Sequence, residues 1–222
     1  GALPILCGVV GEDNKGFDFL RYMQSSGLPH QGIVHSANRP TTTKKRIIGN
    51  KMQLLRVDEE VDEPLSAQDE QLLWEKILHL LETHPVQAII FEDYDKGVIT
   101  DSLIENVTTW ALAHDIPICV DPKKRNFNRY HDVSLFKPNL SELSAGLDVP
   151  KNQLESKEAL AIHMEAFMRR SGHRMVMTTL SENGLILCCR TTEDKFSSTW
   201  IPAVVRNISD VSGAGDTVIS IA

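Results

Sequence analysis

The sequence predicts an α/β chain built around a parallel sheet, and three observations carry that prediction. Short apolar runs of strand length alternate with segments whose apolar residues recur at helical spacing, the order that crossover helices produce. One stretch, residues 39–58, breaks the alternation with two strand-like runs rich in threonine and isoleucine, joined through Gly49 and Asn50, as in a β-hairpin inserted between helices. Near the other end, Asp210-Val211-Ser212-Gly213-Ala214-Gly215-Asp216-Thr217 leads into an apolar run at 218–222 that reads as the start of a helix.

Taken in order, residues 4–10, 86–91, 116–120 and 174–179 read as buried strands, and residues 133–136 are strand-like. The hairpin runs are 41–48 and 52–57. Ser66 and Asp69 stand at capping-box-like spacing ahead of Leu73, Ile77, Leu80 and Leu81, which share one helical face. Leu160, Met164, Phe167 and Met168 repeat that pattern in a later helix. Both stripes are core faces.

A chain of 222 residues suits one medium α/β domain, or one domain with a small appendage. Its 41% hydrophobic and 24% charged content is that of a globular protein without disordered tracts. No run reaches the length of a membrane span and the start lacks a signal-peptide pattern, so a cytoplasmic protein without membrane contact is the expectation. The net charge of −7 argues against nucleic-acid binding, which needs a broad basic face. Cys7, Cys119, Cys188 and Cys189 show no paired metal-ligand spacing, and three of them lie in apolar stretches, which favours reduced core thiols. The eight histidines are scattered, so neither zinc nor histidine catalysis is expected.

Chemistry concentrates in three places. Gly213 and Gly215 allow close backbone approach where a helix begins, and the free amides of a first helical turn attract a phosphoryl group. Asp216, inside that turn, could take a proton from an attacking hydroxyl. An ordinary glycine-rich loop capped by a carboxylate is the alternative. Residues 39–56 carry Arg39, Lys44, Lys45, Arg46, Lys51 and Arg56 with no acid, which could receive a phosphorylated small molecule. A solvated strand face balanced by Asp58, Glu59, Glu60, Asp62 and Glu63 explains the same pattern. In Lys137-Pro138-Asn139-Leu140-Ser141-Glu142, Asn139 and Glu142 share one side of a starting helix and could hold water-ligated magnesium beside nucleotide phosphates, or simply cap the helix. Gly11 and Gly16 have Walker-type spacing, but Phe17 and Asp18 stand where lysine and a hydroxyl are needed, so no P-loop exists. The Gly213–Gly215 pair also lacks the third glycine and preceding strand of a dinucleotide fingerprint.

Asn139 and Glu142 together with the Gly213-Ala214-Gly215-Asp216 turn resemble the two signature motifs of the ribokinase-like, phosphofructokinase-B-type carbohydrate kinase family. Further matches run in the family's order: Gly8-Val9-Val10-Gly11-Glu12-Asp13, Asp93-Tyr94-Asp95-Lys96-Gly97, Asp121-Pro122-Lys123, and residues 178–184 before a hairpin. Pro40-Thr41-Thr42-Thr43-Lys44-Lys45-Arg46 and Gln53-Leu54-Leu55-Arg56-Val57-Asp58 resemble, more closely, the kinase part of D-glycero-β-D-manno-heptose 7-phosphate kinases, often fused to an ADP-heptose synthase domain.

The resemblance implies a three-layer α/β/α ribokinase-like fold with a mostly parallel central sheet. It implies one kinase domain over residues 1–222, with 39–58 forming part of a β-hairpin lid through which a homodimer would form. Asp216 would activate the sugar hydroxyl, and the amides of Gly213, Ala214 and Gly215 would neutralise charge on the γ-phosphoryl of ATP. Asn139 and Glu142 would organise Mg²⁺. Thr179, Ser181 and Gly184 would lie along the nucleotide, with Ser181 standing where many relatives have glycine. Arg39, Thr41, Lys44, Lys96 and Lys123 would face the sugar phosphate, and Asp210 would help hold a monovalent cation, K⁺ in some relatives. Relatives carry a substrate-binding strand and a Gly-Gly-Ala-Ala-Asn-like segment before the point where this chain opens, and nucleotide-site elements after its last residue. The chain is therefore expected to be truncated at both ends. The implied activity is ATP-dependent phosphorylation of a sugar, with heptose 7-phosphate becoming the 1,7-bisphosphate. The alternatives are a kinase for another sugar, sugar phosphate or nucleoside, and a non-catalytic sugar-phosphate-binding protein.

Overall fold

Residues 2–49, 52–192, 195–204 and 213–221 are described by the structure, a computed structural model. Two units emerge from its internal contacts, residues 1–85 with 96–103 and residues 86–95 with 104–222.

The first unit opens with a βαβ element. Strand β1 (Gly8–Gly11) pairs in parallel with β2 (Ile33–Ser36) across helix α1 (Asn14–Ser25), and Val10, Met23 and Ile33 meet in a core flanked by Phe19 and Leu20. The strand expected over 4–10 is shorter than its apolar run, because its ladder partner begins only at Ile33; Leu3 and Leu6 remain exposed. Asp13 caps α1 by accepting from the Gly16 amide. The same carboxylate accepts from the Thr41 amide and hydroxyl, both at 2.8 Å, and these bonds hold its pKa down at about 2. Any side chain at Gly11 would strike the Arg39 carbonyl and the Thr41 amide at 2.7 Å, so glycine there admits the close approach that seats Thr41.

Next comes the expected hairpin, with β3 (Thr43–Gly49) antiparallel to β4 (Met52–Glu59) in the register Lys44 to Asp58 and a bulge between Ile47 and Ile48. Ile47, Ile48, Met52, Leu54, Leu55 and Val57 are all exposed on it. Helix α2 (Ala67–Thr83) is capped by Ser66 and buries Leu73, Leu80 and Leu81. Asp69 does not complete a reciprocal cap; it is buried and accepts from Ser36 and Ser66 hydroxyls at 2.8 and 2.9 Å. Gly97, at φ +69°, would place a Cβ 1.9 Å from the Glu63 carbonyl, so no other residue fits that turn.

Helix α3 (Asp101–Ala113) runs from the first unit into the second. There β5 (Ile89–Glu92), β6 (Ile118–Asp121), β7 (Leu135–Phe136) and β8 (Met175–Thr179) form a parallel run in sequence order. β9 (Leu185–Thr192) and β10 (Lys195–Ile201) extend it antiparallel, giving the order β10-β9-β8-β7-β6-β5. Helices α4 (Leu140–Leu147), α5 (Lys157–Ser171) and α6 (Ala214–Ile221) complete the unit. This is the mixed α/β, mostly parallel architecture that the sequence predicts. The expected stripe of Leu160, Met164, Phe167 and Met168 is buried. Phe136 packs on Phe167 of that stripe with ring centroids 5.3 Å apart, edge-on to Phe127 at 4.9 Å and stacked on His173 at 4.6 Å. Of the cysteines, all free, only Cys188 is buried; adjacent Cys189 points to the opposite face of β9 and Cys7 is exposed. Among the described residues, no helix is long and apolar enough to cross a membrane.

Candidate functional site

Parallel strands deliver their carboxyl ends to one edge of a sheet, where α/β folds place ligands. In the second unit that edge carries Glu92 at the end of β5, Asp121 at the end of β6, Lys137 just after β7 and Thr179 at the end of β8. Glu92 and Asp121 are direct register partners. Lys137, 2% exposed, points its Nζ at Asp121 Oδ2 at 2.8 Å, and Asp121 is itself 5% exposed. Burial pushes the Asp121 carboxyl up, against the pull of Lys137 and Lys123. Its Oδ1 is buried and accepts no hydrogen bond, with Lys123 Nζ 3.9 Å away.

Helix α6 brings its first turn to this edge. Gly213 adopts φ +75° and accepts from the Thr217 amide at 2.9 Å, closing the turn. The preceding amides of Ala214, Gly215 and Asp216 have no acceptor within the helix and form the positive end of its dipole. A Cβ at Gly215 would lie 3.5 Å from Asp121 Oδ2 and 3.6 Å from Lys137 Nζ, so the backbone of this turn rests on the buried ion pair. Asp216 is exposed, and its Oδ2 accepts from the Tyr94 hydroxyl at 2.8 Å. One oxygen from each of Glu92, Asp121 and Asp216 lies within 4.8 Å of the others. Burial, then the charges of Asp121 and Asp216, raise Glu92 to about 7.

Asn139 and Glu142 form a reciprocal capping box at the start of α4: the Glu142 amide donates to Asn139 Oδ1 at 2.9 Å and the Asn139 amide to Glu142 Oε2 at 2.8 Å. The other Glu142 oxygen contacts Lys123 Nζ. Thr179 adjoins this cap through an isolated bridge to Asn139, its amide donating to the Pro138 carbonyl at 3.1 Å. Ser181, at φ +52°, and Gly184, at φ +88°, form the turn that follows; a side chain at Gly184 would meet the Ile201 carbonyl at 2.0 Å.

Arg39, Thr41, Lys44 and Lys96 belong to the first unit, and each already has protein partners. Arg39 donates to the carbonyls of Val61 at 3.0 Å and Lys96 at 2.7 Å. Thr41 is buried against Asp13. Lys44 pairs with Glu60 at 2.7 Å and Asp58 at 3.6 Å, and Lys96 with Glu60 at 2.7 Å and Asp62 at 3.0 Å. Those two lysines hold Glu60 down at about 2. Asp210 and Lys51 lie outside the described residues.

Glu92, Tyr94, Asp121 and Lys137 join the site in the structure and are not among the residues that the sequence singles out for chemistry. A charged residue ending each of two apolar strand runs is the signal that points to Glu92 and Asp121.

Comparison with known proteins gives this edge a context. The profile described as pfkB family carbohydrate kinase matches residues 2–221. A Helicobacter pylori protein named bifunctional protein HldE is 33% identical over 219 residues, covering 99% of this chain and 45% of the relative. Its Methylobacillus flagellatus namesake is 34% identical over 215 residues, covering 97% and 42%. This chain thus spans less than half the length of those relatives. Among solved structures, Escherichia coli phosphofructokinase-2 in complex with fructose-6-phosphate superposes with a TM-score of 0.69 at 17% identity, covering 95% of this chain and 65% of the other. Giardia lamblia ribokinase gives 0.70 at 18% identity, covering 96% and 63%. With a family profile spanning nearly every residue and relatives at one-third identity over the same length, the chain belongs to the pfkB family of carbohydrate kinases.

Proposed function

We propose that this chain is the kinase part of an ATP-dependent sugar kinase that converts heptose 7-phosphate into heptose 1,7-bisphosphate. The observation that carries the reading is Asp216 in the first turn of α6, beside the Asp121–Lys137 pair at the carboxyl edge of the sheet. In the proposed reaction Asp216 accepts the proton of the sugar hydroxyl as its oxygen bonds to the γ-phosphorus. The bond from that phosphorus to the β–γ bridging oxygen breaks and ADP leaves. The amides of Ala214 and Gly215, with the Gly213 turn, offer positive dipoles to the oxygens of the transferring group. Thr179, Ser181 and Gly184 are assigned to the nucleotide, and Lys123 to the sugar side.

The donor set fits a hard divalent cation. Glu92 and Asp121 supply converging carboxylate oxygens, Asp121 Oδ1 has no hydrogen-bond donor, and Asp216 beside them stays uncoordinated as the base. Mg²⁺ bound there, or held through water by Asn139 and Glu142, would neutralise phosphate charge. Asp210 is kept as a proposed contributor to a K⁺ site.

The heptose assignment rests on the likeness of the hairpin to heptose 7-phosphate kinases and on the identity to proteins named HldE. Arg39, Thr41, Lys44 and Lys96 are assigned to the acceptor. Because Lys44 and Lys96 share Glu60, an anionic acceptor would exchange a carboxylate partner for its own phosphate. Residues 1–222 act in this reading as one kinase domain in the cytoplasm, where ATP and sugar phosphates are found. Residues 39–58 are its lid, and the exposed apolar residues of the hairpin support a homodimer formed there. The test is a panel of acceptors with the full-length protein: heptose 7-phosphate, fructose 6-phosphate, ribose and adenosine. Heptose 7-phosphate should give the highest kcat/KM and a product phosphorylated at position 1; preference for an uncharged sugar would overturn the assignment.

A further inference from the structure

Tyr94 follows β5 by two residues, and the backbone around it is pinned from several directions. Asp93, 3% exposed, donates its amide to the Asp121 carbonyl at 3.1 Å. Its carboxylate accepts from Asn126 at 2.9 Å, from the Tyr130 hydroxyl at 3.2 Å and from the Asp95 amide at 2.8 Å. Asp95 takes a left-handed conformation, φ 57°, and pairs with Arg125 at 2.8 Å. A buried carboxylate with that many donors fixes a loop far more rigidly than a surface turn requires. Yet the residue it presents, Tyr94, is 53% exposed, so packing of the ring does not explain the anchoring. What the loop delivers is one hydroxyl, 2.8 Å from Asp216 Oδ2 across 122 positions of sequence.

That hydroxyl is a donor. A phenol holds its proton at neutral pH, and a carboxylate oxygen 2.8 Å away can only accept it. An exposed aspartate in a first helical turn can otherwise rotate about two side-chain bonds, and either oxygen can turn to solvent. Holding Oδ2 leaves Oδ1 free and fixes its direction. We propose that Tyr94 is a positioning residue that orients Asp216 towards the acceptor hydroxyl, an inference that rests on the reading of Asp216 as the base.

A double-mutant cycle on the full-length protein tests this, with ATP and D-glycero-β-D-manno-heptose 7-phosphate as substrates. Tyr94→Phe removes one oxygen from a half-exposed side chain, and thermal melts confirm that the fold is kept. The variant should lose about 10-fold in kcat, the size expected for one hydrogen bond to a charged group, with both KM values within about twofold of wild type. In an Asp216→Asn background the same substitution should cost nothing further, because the group it positions has gone. A merely structural role would instead lower activity equally in both backgrounds, and that result overturns the proposal. Wild-type kcat in Tyr94→Phe, with Asp216→Asn crippled, overturns the positioning role and leaves the kinase reading standing. Full activity in Asp216→Asn, or no turnover by the wild type, removes the base itself and both readings with it.

Discussion

Replacing Lys137 with methionine perturbs the buried centre of the site most selectively. The side chains are of similar length, so the change removes charge with little change of volume. At 2.8 Å and an effective dielectric constant of about 20, the attraction between Lys137 and Asp121 is roughly 6 kcal/mol, much of it offset by the desolvation of both ions. Losing one partner leaves the Asp121 carboxylate buried, with Glu92 and Asp216 nearby and, among the described residues, the more distant Lys123 to oppose them. The expected loss is about 3–5 kcal/mol in unfolding free energy at pH 8. Urea denaturation measures it, and Lys137→Met combined with Asp121→Leu should recover most of the loss, since a well-packed apolar pair costs little. A loss below about 1 kcal/mol, or a double variant no more stable than the single one, would show that the pair is not desolvated as the geometry implies.

Glu92 supplies a pH signature in metal-free buffer. Its folded pKa of about 7 lies above the ordinary 4.5, so the native state holds the proton longer. Its stabilising contribution is complete below pH 4.5 and is lost as pH rises through 7. The unscreened difference is roughly 3 kcal/mol, which solvent access reduces to about 1. Glu92→Gln should therefore be more stable than wild type by that amount at pH 8 and little different at pH 5; a pH-independent difference in urea melts would contradict this. Lys44→Ala should raise KM for the sugar phosphate about 10-fold and KM for ATP less than twofold in steady-state kinetics, whereas equal rises would detach the hairpin from acceptor binding. Glu142→Gln should cost about 1 kcal/mol in thermal stability through the capping box. It should also raise the magnesium concentration for half-maximal rate several-fold, and a stability effect alone would reduce the pair to a helix cap.

The strands and helices of the second unit were legible where helices bury its sheet, which forces the apolar runs at 116–120 and 174–179 and the stripe from Leu160 to Met168; the run expected to be buried at 86–91 instead becomes β5 at the end of the sheet order, with Phe91 buried but Ile90 exposed. The Asn139–Glu142 cap was legible because three-residue spacing is local chemistry. Residues 4–7 were not, since an apolar run says nothing of where its ladder partner begins. The acidic run after the hairpin hinted at the pairing of Lys44 and Lys96, but which carboxylate meets which lysine depends on strand register. The site itself was least legible: Tyr94 and Asp216 are 122 positions apart, and Asp121 meets Lys137 only because β6 and β7 are parallel neighbours. Pattern in one segment carries no information about such meetings.

Every step of the proposed reaction depends on Asp216 acting as the base of a phosphoryl transfer to a sugar. The most direct measurement is transfer of labelled γ-phosphate from ATP to heptose 7-phosphate by the full-length protein and its Asp216→Asn variant, alongside ATP binding. With Asp216 as the base, kcat should fall about 10²–10⁴-fold in the variant while ATP affinity stays within about twofold. Near-normal transfer by the variant would contradict it.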